Sequence, residues 1–344
     1  MLTRPMQTNL PALIPYRKGD KWGYASPQGD IVIPCQYEDA TFFIEGRARV
    51  MRQDLYGYLD HRGRELIPCQ FEEAYAFHQG RAIVRREEDF GFINLEGELL
   101  VPFAYEDLDD YQEGLAPALW GGKVGYLNLQ GQTIIPFQYD RVEDTLDRAQ
   151  EGRICLRYHN KVGFLDLNGQ TVIDFQFDFA QNFFEGRAMV YHQGMAGFID
   201  RQGQWVVPCG YESAGHFSQG RAMVEQEGLC GFIDTLGKLV IPPRFDFAYP
   251  FAEGLAAVER DNCTGFVNLE GQLVISFHYD FATGFAGGRA AVEKDGRFGF
   301  INPQGELVIP YRYEDTYGFW NGLAEVVYQD QRGYINAQGK EYFS

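Results

Sequence analysis

The sequence repeats itself with a period of 34 residues. A glycine that precedes Tyr or Phe recurs at Gly23, Gly57, Gly91, Gly125, Gly163, Gly197, Gly231, Gly265, Gly299 and Gly333. Neighbouring copies are 34 residues apart, except that Gly125 and Gly163 are 38 apart. A regular period outranks any local motif in deciding the fold, so the chain is predicted to be a tandem array with one four-residue insertion.

Each repeat carries three short segments with strand chemistry, as at residues 221–224, 231–234 and 239–242. They are rich in Val, Ile and Phe and are bounded by glycine or polar residues. Pairs such as Gln193-Gly194 supply positive φ for a tight hairpin, and Gly29 and Gly97 suit bulged turns. Each repeat is therefore predicted to be a three-stranded antiparallel meander.

The connector to the next repeat holds apolar residues that could add a fourth, outer strand. The proline before it, as at Pro34 and Pro102, is predicted to end the third strand, because proline cannot donate to a ladder except at an edge. Adjacent apolar residues such as Phe232 and Ile233 point to opposite faces of a sheet, so both faces are expected to be buried.

The predicted fold class is all-β, with about ten antiparallel meander units of three or four strands. Such units stack as a β-propeller-like ring or as an open β-superhelix. A closed ring requires residues 13–17 to meet the last repeat edge to edge. The array is predicted to be a single domain over residues 12–344, preceded by a polar lead-in of residues 1–11 and interrupted by the insertion at 141–149.

One motif resembles a known family. The first full copy reads Lys21-Trp22-Gly23-Tyr24 and continues through Gly29, Ile33-Pro34, Tyr37-Glu38, Phe43, Glu45-Gly46 and Ala48. This pattern resembles the WG-repeat family of β-repeat proteins over residues 12–343, although later copies replace the tryptophan. The resemblance implies an all-β bacterial-type repeat protein, from a family used mostly as binding or accessory modules, and it offers no catalytic residues.

The net charge restricts the classes of molecule that the chain is expected to bind. The chain holds 30 basic and 48 acidic residues, for a net charge of −18. Such a surface repels nucleic acid and anionic membranes, which leaves a protein as the expected partner. The first ten residues lack an apolar signal-peptide core, and no apolar run is long enough to span a bilayer, so a soluble cytoplasmic protein is expected.

Residues with catalytic or metal-binding chemistry are spread over the repeats. An acidic residue recurs at the start of nine connectors, as at Glu38 and Asp178, and its repetition favours turn capping or pairing with arginines such as Arg47 over catalysis. Six cysteines show no two-residue spacing, and three of them share one repeat position, which is typical of buried thiols. We therefore expect no catalytic residue, no metal site and no cofactor.

Departures from the repeat are the candidate binding residues, because a partner that binds in one register cannot rely on positions found in every unit. The insertion is predicted to be a loop or a single helical turn, and the connector at 318–321 is unusually aromatic. The candidate residues are Arg141, Glu143, Asp144, Asp147, Arg148 and Trp320.

The predicted function is a non-enzymatic interaction scaffold. A small-ligand or carbohydrate-binding propeller is the alternative, and a cluster of exposed Trp and Tyr in one pocket would favour it. An enzyme with a site assembled between units is the third hypothesis, which converging His and carboxylate groups would favour.

Overall fold

A computed structural model describes residues 10–142 and 146–344. Two of the candidate residues, Glu143 and Asp144, lie outside the described residues. The described part of the chain contains 37 strands and no helix, as the repeat pattern predicts. No helix in it is therefore long and apolar enough to cross a membrane.

The contacts divide the chain into two compact units. The first contains the described residues up to Phe42, together with Leu229–Gly231 and Val240–Ser344. The second contains the described residues of Phe43–Gly228 together with Phe232–Leu239. Each unit is described by itself below.

The strands before the insertion are β1 (Ile14–Lys18), β2 (Lys21–Ala25), β3 (Ile31–Tyr37), β4 (Asp39–Ala40), β5 (Ala48–Arg52), β6 (Leu55–Leu59), β7 (Glu65–Phe71), β8 (Glu73–Ala74), β9 (Arg81–Arg86), β10 (Asp89–Asn94), β11 (Leu99–Tyr105), β12 (Asp107–Leu108), β13 (Leu115–Trp120), β14 (Lys123–Asn128) and β15 (Thr133–Tyr139).

The strands after it are β16 (Ile154–Tyr158), β17 (Lys161–Leu165), β18 (Thr171–Phe177), β19 (Phe179–Ala180), β20 (Arg187–His192), β21 (Met195–Asp200), β22 (Trp205–Tyr211), β23 (Ser213–Ala214), β24 (Arg221–Gln226), β25 (Leu229–Asp234), β26 (Leu239–Phe245), β27 (Phe247–Ala248), β28 (Leu255–Arg260), β29 (Cys263–Asn268), β30 (Leu273–Tyr279), β31 (Phe281–Ala282), β32 (Ala290–Lys294), β33 (Arg297–Ile301), β34 (Leu307–Tyr313), β35 (Asp315–Trp320), β36 (Leu323–Tyr328) and β37 (Gln331–Asn336).

The described strands form ten small antiparallel sheets, which confirms the predicted meander units. In the second unit, for example, the sheet order β19-β20-β21-β22 follows the order of the chain. The two central strands pair without a register shift, from Arg187 opposite Asp200 to His192 opposite Met195. Small sheets of this up-and-down order are blades of the β-propeller type.

The connector contributes the predicted fourth strand, but only two residues of it. Strand β19 pairs Phe179 with Tyr191 and Ala180 with Val190, at the edge of the sheet that the connector enters. Two connectors differ from this form. Among its described residues, the one with the insertion has the bridge between Asp140 and Arg157 in place of a two-residue strand, and the one at residues 315–320 forms the six-residue strand β35.

The prediction that the repeat proline ends the third strand is wrong. Strand β3 runs from Ile31 to Tyr37 and continues for three residues beyond Pro34. In the ladder with β2, Ile33 pairs with Tyr24 and Tyr37 pairs with Trp22, so the proline lies in a bulge. A bulged residue has no ladder bond to donate, and proline is therefore tolerated there.

The repeated glycine brings the second and third strands close together. A Cβ atom built on Gly197 would lie 2.7 Å from the carbonyl oxygen of Val207 and 2.8 Å from the backbone nitrogen of Cys209. Real Cβ atoms do not approach backbone atoms this closely, so the bulge of the third strand requires a glycine opposite it.

Both faces of the blades are buried, as the paired apolar residues predict. In the second unit one apolar cluster contains Phe164 and Ile173 from the sheet of β16–β18, together with Val190 and Ile199 from the next sheet along the chain. Neighbouring blades therefore bury their facing surfaces against each other, which is how a stack of small sheets buries its apolar surface.

The two ends of the array meet within the first unit. The backbone N–H of Arg17 donates to the carbonyl of Tyr342 at 3.3 Å, and the N–H of Ser344 donates to the carbonyl of Arg17 at 3.0 Å. Trp22, the tryptophan of the one literal Trp-Gly copy, is buried and lies 5.9 Å from the ring of Tyr334. The contact that a closed array requires between residues 13–17 and the last repeat is therefore present.

Candidate binding cleft at the insertion

In several connectors the acidic residue at the start caps a turn, the first of the two predicted roles. Asp178 accepts hydrogen bonds from the backbone N–H of Gln193 at 2.8 Å and from Lys161 Nζ at 2.6 Å. Asp246 and Asp280 bind the N–H groups of Asp261 and Asp295 at 2.7 Å in the same way. These carboxylates hold the hairpin of the next blade, and their chemistry is structural.

The arginines near the connectors bind backbone carbonyls of other repeats. Arg47 Nη2 donates to the carbonyl of Leu95 at 3.0 Å, and Arg153 Nη2 donates to that of Arg201 at 3.0 Å. Each bond spans 48 residues and ties one connector to a turn in the repeat after next. The carbonyls give these arginines partners that the sequence pattern did not indicate.

The insertion loop, residues 141–149, is anchored at both described ends by ion pairs. Arg141 Nη2 lies 2.8 Å from Asp107 Oδ2. Arg148 binds both carboxylate oxygens of Asp109, with its Nε donating to Oδ2 at 2.7 Å and its Nη2 donating to Oδ1. The two acids belong to the connector of the preceding repeat, so the loop is fastened to its neighbour by charge.

Apolar and backbone contacts complete the anchoring. Val142, Leu146 and Ala149 are buried. The hydroxyl of Tyr126, a fully buried side chain, donates to the carbonyl of Asp147 at 2.5 Å. The described residues of the insertion, 141–142 and 146–149, contain no helix, and the three residues between them lie outside the described chain.

Two clefts flank the Arg148–Asp109 pair. The larger has a volume of about 480 Å³ and the smaller about 330 Å³, and both are lined by Asp109, Leu146 and Arg148. We call the larger one the insertion cleft. Its lining also contains Gln112, Gln150, Gln181, Asn182, Phe184 and His216.

The insertion cleft is rich in amide side chains. Gln112 donates to Gln150 across it. The side-chain oxygen of Gln181 is buried and accepts no hydrogen bond from the described residues. A buried acceptor without a donor costs free energy, and a ligand with an N–H or O–H group would satisfy it.

Burial governs the titration of the groups around the two clefts. Burial raises the pKa of the Asp107 and Asp110 carboxyls above their usual range, and Arg141 and Arg148 respectively oppose that shift. The hydrogen bond that Arg148 donates to Asp109 raises the pKa of the guanidinium. Burial lowers the pKa of His216, against the field of Glu185, so this imidazole is neutral at pH 7.

The chemistry of the insertion cleft is that of polar recognition. Arg148 and Asp109 neutralise each other, and most of the other polar groups in the lining are amides, which both donate and accept. Among the described residues no group of three His, Cys, Asp or Glu side chains is placed to hold a metal ion.

The candidate residues fall in two places. Asp147 and Arg148 line the insertion cleft of the second unit, and Arg141 binds Asp107, which lines the smaller cleft, whereas Trp320 belongs to the first unit. Trp320 ends strand β35, is 55% exposed, and has its ring 5.7 Å from the ring of Phe42. Glu143 and Asp144 have no described position.

Several lining residues were missed by the sequence reasoning. The acids that hold the loop come from the run Glu106-Asp107-Leu108-Asp109-Asp110, which contains four carboxylates in five residues. No other connector carries such a run, so its charge was a usable signal for a partner of Arg141 and Arg148. Gln181 and His216 occupy ordinary connector positions, and only the fold brings them to the cleft.

Blades of this kind, repeated in tandem, define a β-repeat scaffold of the propeller type. The sequence model described as a WG containing repeat matches residues 22–55, 56–88, 90–123, 125–145, 163–194, 197–230, 231–262, 265–298 and 298–330. These segments cover most of the chain, which therefore belongs to the WG-containing repeat family. The fourth segment ends inside the insertion, and the fifth begins only at residue 163.

One solved structure shares the fold, at a sequence identity that shows nothing more. A crystal structure of a eukaryotic initiation factor is 12% identical, with 88% of this chain and 96% of that chain covered, at a TM-score of 0.57. Hsv2p from Kluyveromyces lactis is 8% identical, with 67% of this chain and 92% of that chain covered, at a TM-score of 0.41. No curated protein sequence matches the chain.

Proposed function

We propose that this chain is a non-catalytic scaffold that binds a segment of a partner protein in the insertion cleft. The observation that carries the proposal is the cleft of about 480 Å³ beside the one connector that the repeat spacing lengthens. A surface built from a unique loop gives a partner a single register on an otherwise repeated chain.

The lining favours a polypeptide as the occupant. Gln112, Gln150, Gln181 and Asn182 offer donors and acceptors that match the N–H and C=O groups of an extended backbone. The unpaired side-chain oxygen of Gln181 would accept one such N–H. The side chain of Phe184 supplies apolar area beside these amides.

Charge also favours a protein partner. The net charge of −18 repels phosphate backbones, and Arg141 and Arg148 are engaged by Asp107 and Asp109. A partner segment with a neutral or basic character fits this surface.

The experiment compares partner capture by three tagged proteins in lysate of the native cell, read by quantitative mass spectrometry. The first is the natural chain. The second carries Asn182→Arg, which fills the cleft. The third carries Gly284→Arg, a control at the same connector position in another repeat, where a Cβ atom would lie 3.6 Å from the nearest side-chain atom.

We expect one set of partners to be recovered by the natural chain and by the control, and to be lost with Asn182→Arg. Thermal unfolding of all three proteins checks that each is folded. Equal recovery of the same partners with the filled cleft would refute the proposal.

A second variant tests the loop itself. Residues 140–152 are replaced by a connector with the sequence of residues 106–114, which removes four residues and retains the acidic start and the Glu-Gly end. Loop-closure entropy changes by only a few tenths of a kcal/mol for such a change, so the fold is expected to remain. Partner recovery should fall as it does for Asn182→Arg.

A further inference from the structure

A second kind of cleft recurs where the third strands of neighbouring blades end, away from the connectors. In the first unit it is lined by Arg244, Phe245, Arg260, Leu273 and Phe277. The guanidinium carbon of Arg260 lies 4.4 Å from the ring centroid of Phe277, and that of Arg244 lies 5.0 Å from the ring of Phe245. Arg244 Nη2 also donates to the carbonyl of Gly271 at 2.5 Å.

Other repeats fill the equivalent cleft in the same way. Arg86, at the position of Arg260, lies 5.7 Å from the ring of Phe71 and 5.2 Å from the ring of Phe103. Arg312, at the position of Arg244, lies 5.6 Å and 4.6 Å from the rings of Tyr313 and Tyr328. A guanidinium stacked on aromatic rings is thus a recurrent way in which this chain closes the cleft.

Besides the copy with Tyr139, Tyr158 and Phe175, whose ring centroids lie 5.6 to 5.9 Å apart, another repeat of the second unit keeps the rings without the arginines. Its cleft is lined by Ala104, Tyr105, Trp120, Thr133 and Phe137, which occupy the positions of Arg244, Phe245, Arg260, Leu273 and Phe277. Alanine stands where Arg244 and Arg312 stand in their copies, and tryptophan stands where Arg86 and Arg260 stand. We call this site the Trp120 cleft.

The aromatic frame of the Trp120 cleft matches that of the filled copies. The rings of Tyr105 and Phe137 are 6.0 Å apart, against 6.4 Å for Phe245 and Phe277 and 6.5 Å for Phe71 and Phe103. Trp120 adds a third ring, 5.7 Å from Phe137 and 57% exposed. The cleft has a volume of about 250 Å³.

We propose that the Trp120 cleft binds an arginine side chain of a partner protein. The incoming guanidinium takes the place that Arg244 takes in the first unit, which Ala104 leaves open, and stacks on the rings of Tyr105, Phe137 and Trp120. Tryptophan offers the strongest cation–π face of the aromatic side chains. The net charge of −18 attracts basic segments, and the carbonyl of Gly131, equivalent to that of Gly271, is a candidate acceptor for the guanidinium.

This inference does not depend on the insertion, since none of its residues lines the insertion cleft. Each proposal can therefore be refuted without refuting the other, because the variants of the Trp120 cleft leave Asn182 and the insertion loop unchanged.

The test titrates the folded chain, with its tryptophans labelled at the indole nitrogen, with the peptide acetyl-Gly-Gly-Arg-Gly-Gly-amide. Matched peptides carry lysine or neutral citrulline in place of arginine, and a methyl glucoside serves as a neutral sugar probe. The chain has four tryptophans, and the signal of Trp120 is identified by its absence from Trp120→Gln. Glutamine occupies this position naturally as Gln226, so that variant is expected to fold.

We expect the Trp120 signal to shift with the arginine peptide and to respond at least about fivefold more weakly to the citrulline peptide, because the neutral side chain keeps the shape and loses the cation. Ala104→Arg should abolish the response while retaining the Trp120 signal, since the new arginine would occupy the rings from within the chain. The double variant Arg244→Ala/Arg260→Trp should add a fifth indole signal that responds to the arginine peptide.

Equal responses to arginine and citrulline would overturn the proposal, as would an unchanged response in folded Ala104→Arg. A response to the methyl glucoside without one to the arginine peptide would assign the cleft to a neutral sugar instead.

Discussion

Two neighbouring connectors of the second unit show how a repeat can vary without losing its structure. The connector at residues 178–186 begins with a carboxylate that caps a turn and adds the two-residue strand β19 to the next blade. The connector at residues 140–152 begins with Asp140, whose carboxylate binds Lys123, and among its described residues Asp140 bridges to Arg157 and Gln150 to Arg153.

Their ends are built alike. Glu185 accepts a hydrogen bond from the N–H of Gly220 at 2.8 Å, and Glu151 accepts one from the N–H of Gly186 at 2.9 Å. Each connector is therefore positioned by its first and last acids, which bind backbone N–H groups or a lysine of other repeats. The two connectors share these anchors at their ends, whereas Arg141 and Arg148 of the insertion bind acids of the preceding connector, so a unique surface is added between shared anchors.

The largest loss of stability is expected for a substitution at the repeated glycine, because the second and third strands leave no space for a side chain there. Gly197→Val should destabilise the chain by about 1–3 kcal/mol, because the new side chain overlaps the backbone of the third strand. Urea unfolding followed by tryptophan fluorescence measures the loss.

Gly210→Val in the same sheet is the matched control, since a Cβ atom there would lie 3.9 Å from its nearest neighbour. Equal losses for the two variants would show that the close approach at Gly197 is unimportant.

A buried tyrosine binds a carbonyl of the connector in both the insertion repeat and an ordinary repeat, and removing its hydroxyl is the second prediction. Tyr126→Phe removes the hydroxyl that binds the carbonyl of Asp147, and Tyr58→Phe removes the one that binds the carbonyl of Tyr75 at 2.7 Å. Each change should cost about 1 kcal/mol in the free energy of unfolding. Only Tyr126→Phe should also reduce partner capture, because only it releases the insertion loop. Reduced capture by both variants would indicate a general loss of structure.

Ion pairs should matter more at the insertion than in an ordinary connector. Arg148→Met breaks the two-bond pair with Asp109 and should cost up to about 1 kcal/mol, because both side chains are partly exposed. Lys161→Met breaks the single contact with Asp178 and should cost roughly 0.3 kcal/mol. Thermal unfolding at low and high salt measures both, and the reverse order would mean that the loop is held by its apolar residues alone.

The smallest expected effect is a difference between Asp178 and Asp110 in how their contributions to stability depend on pH. The hydrogen bond from Lys161 lowers the pKa of Asp178, whereas burial raises that of Asp110. Asp178 therefore contributes stability that is present above its unfolded pKa of about 3.9 and is lost as the pH falls through its lower folded value. Asp110 contributes in the opposite sense, because the folded state keeps its proton while the unfolded state loses it, so its contribution falls as the pH rises through its folded pKa.

Melting temperatures of Asp178→Asn and Asp110→Asn between pH 3 and pH 7 test this contrast. Relative to the natural chain, Asp178→Asn should become less stable and Asp110→Asn more stable as the pH rises, each by under about 2 °C. Parallel pH profiles for the two variants would contradict the assigned environments.

Much of the fold follows from the sequence alone, because the period and the turn chemistry are local properties. The glycine spacing predicts the number of meanders, and pairs such as Gln193-Gly194 adopt the positive φ values that their hairpins need. The apolar pairs of the second strand predict two buried faces, since side chains alternate across a sheet. These features depend on residues within one repeat, and the same sequence pattern recurs ten times along the chain.

The tertiary structure alone decided what lies between repeats. Pro34 remains within its strand because four steps of β3, from Ile33 to Tyr37, lie opposite two steps of β2, and a bulge leaves no mark in the hydrophobic pattern. The insertion was visible as a break in the period, but its partners Asp107 and Asp109 and the lining residue Gln181 come from adjoining connectors. Contacts between residues distant along the chain depend on how blades stack, and no periodicity within one repeat specifies which side chains that stacking brings together.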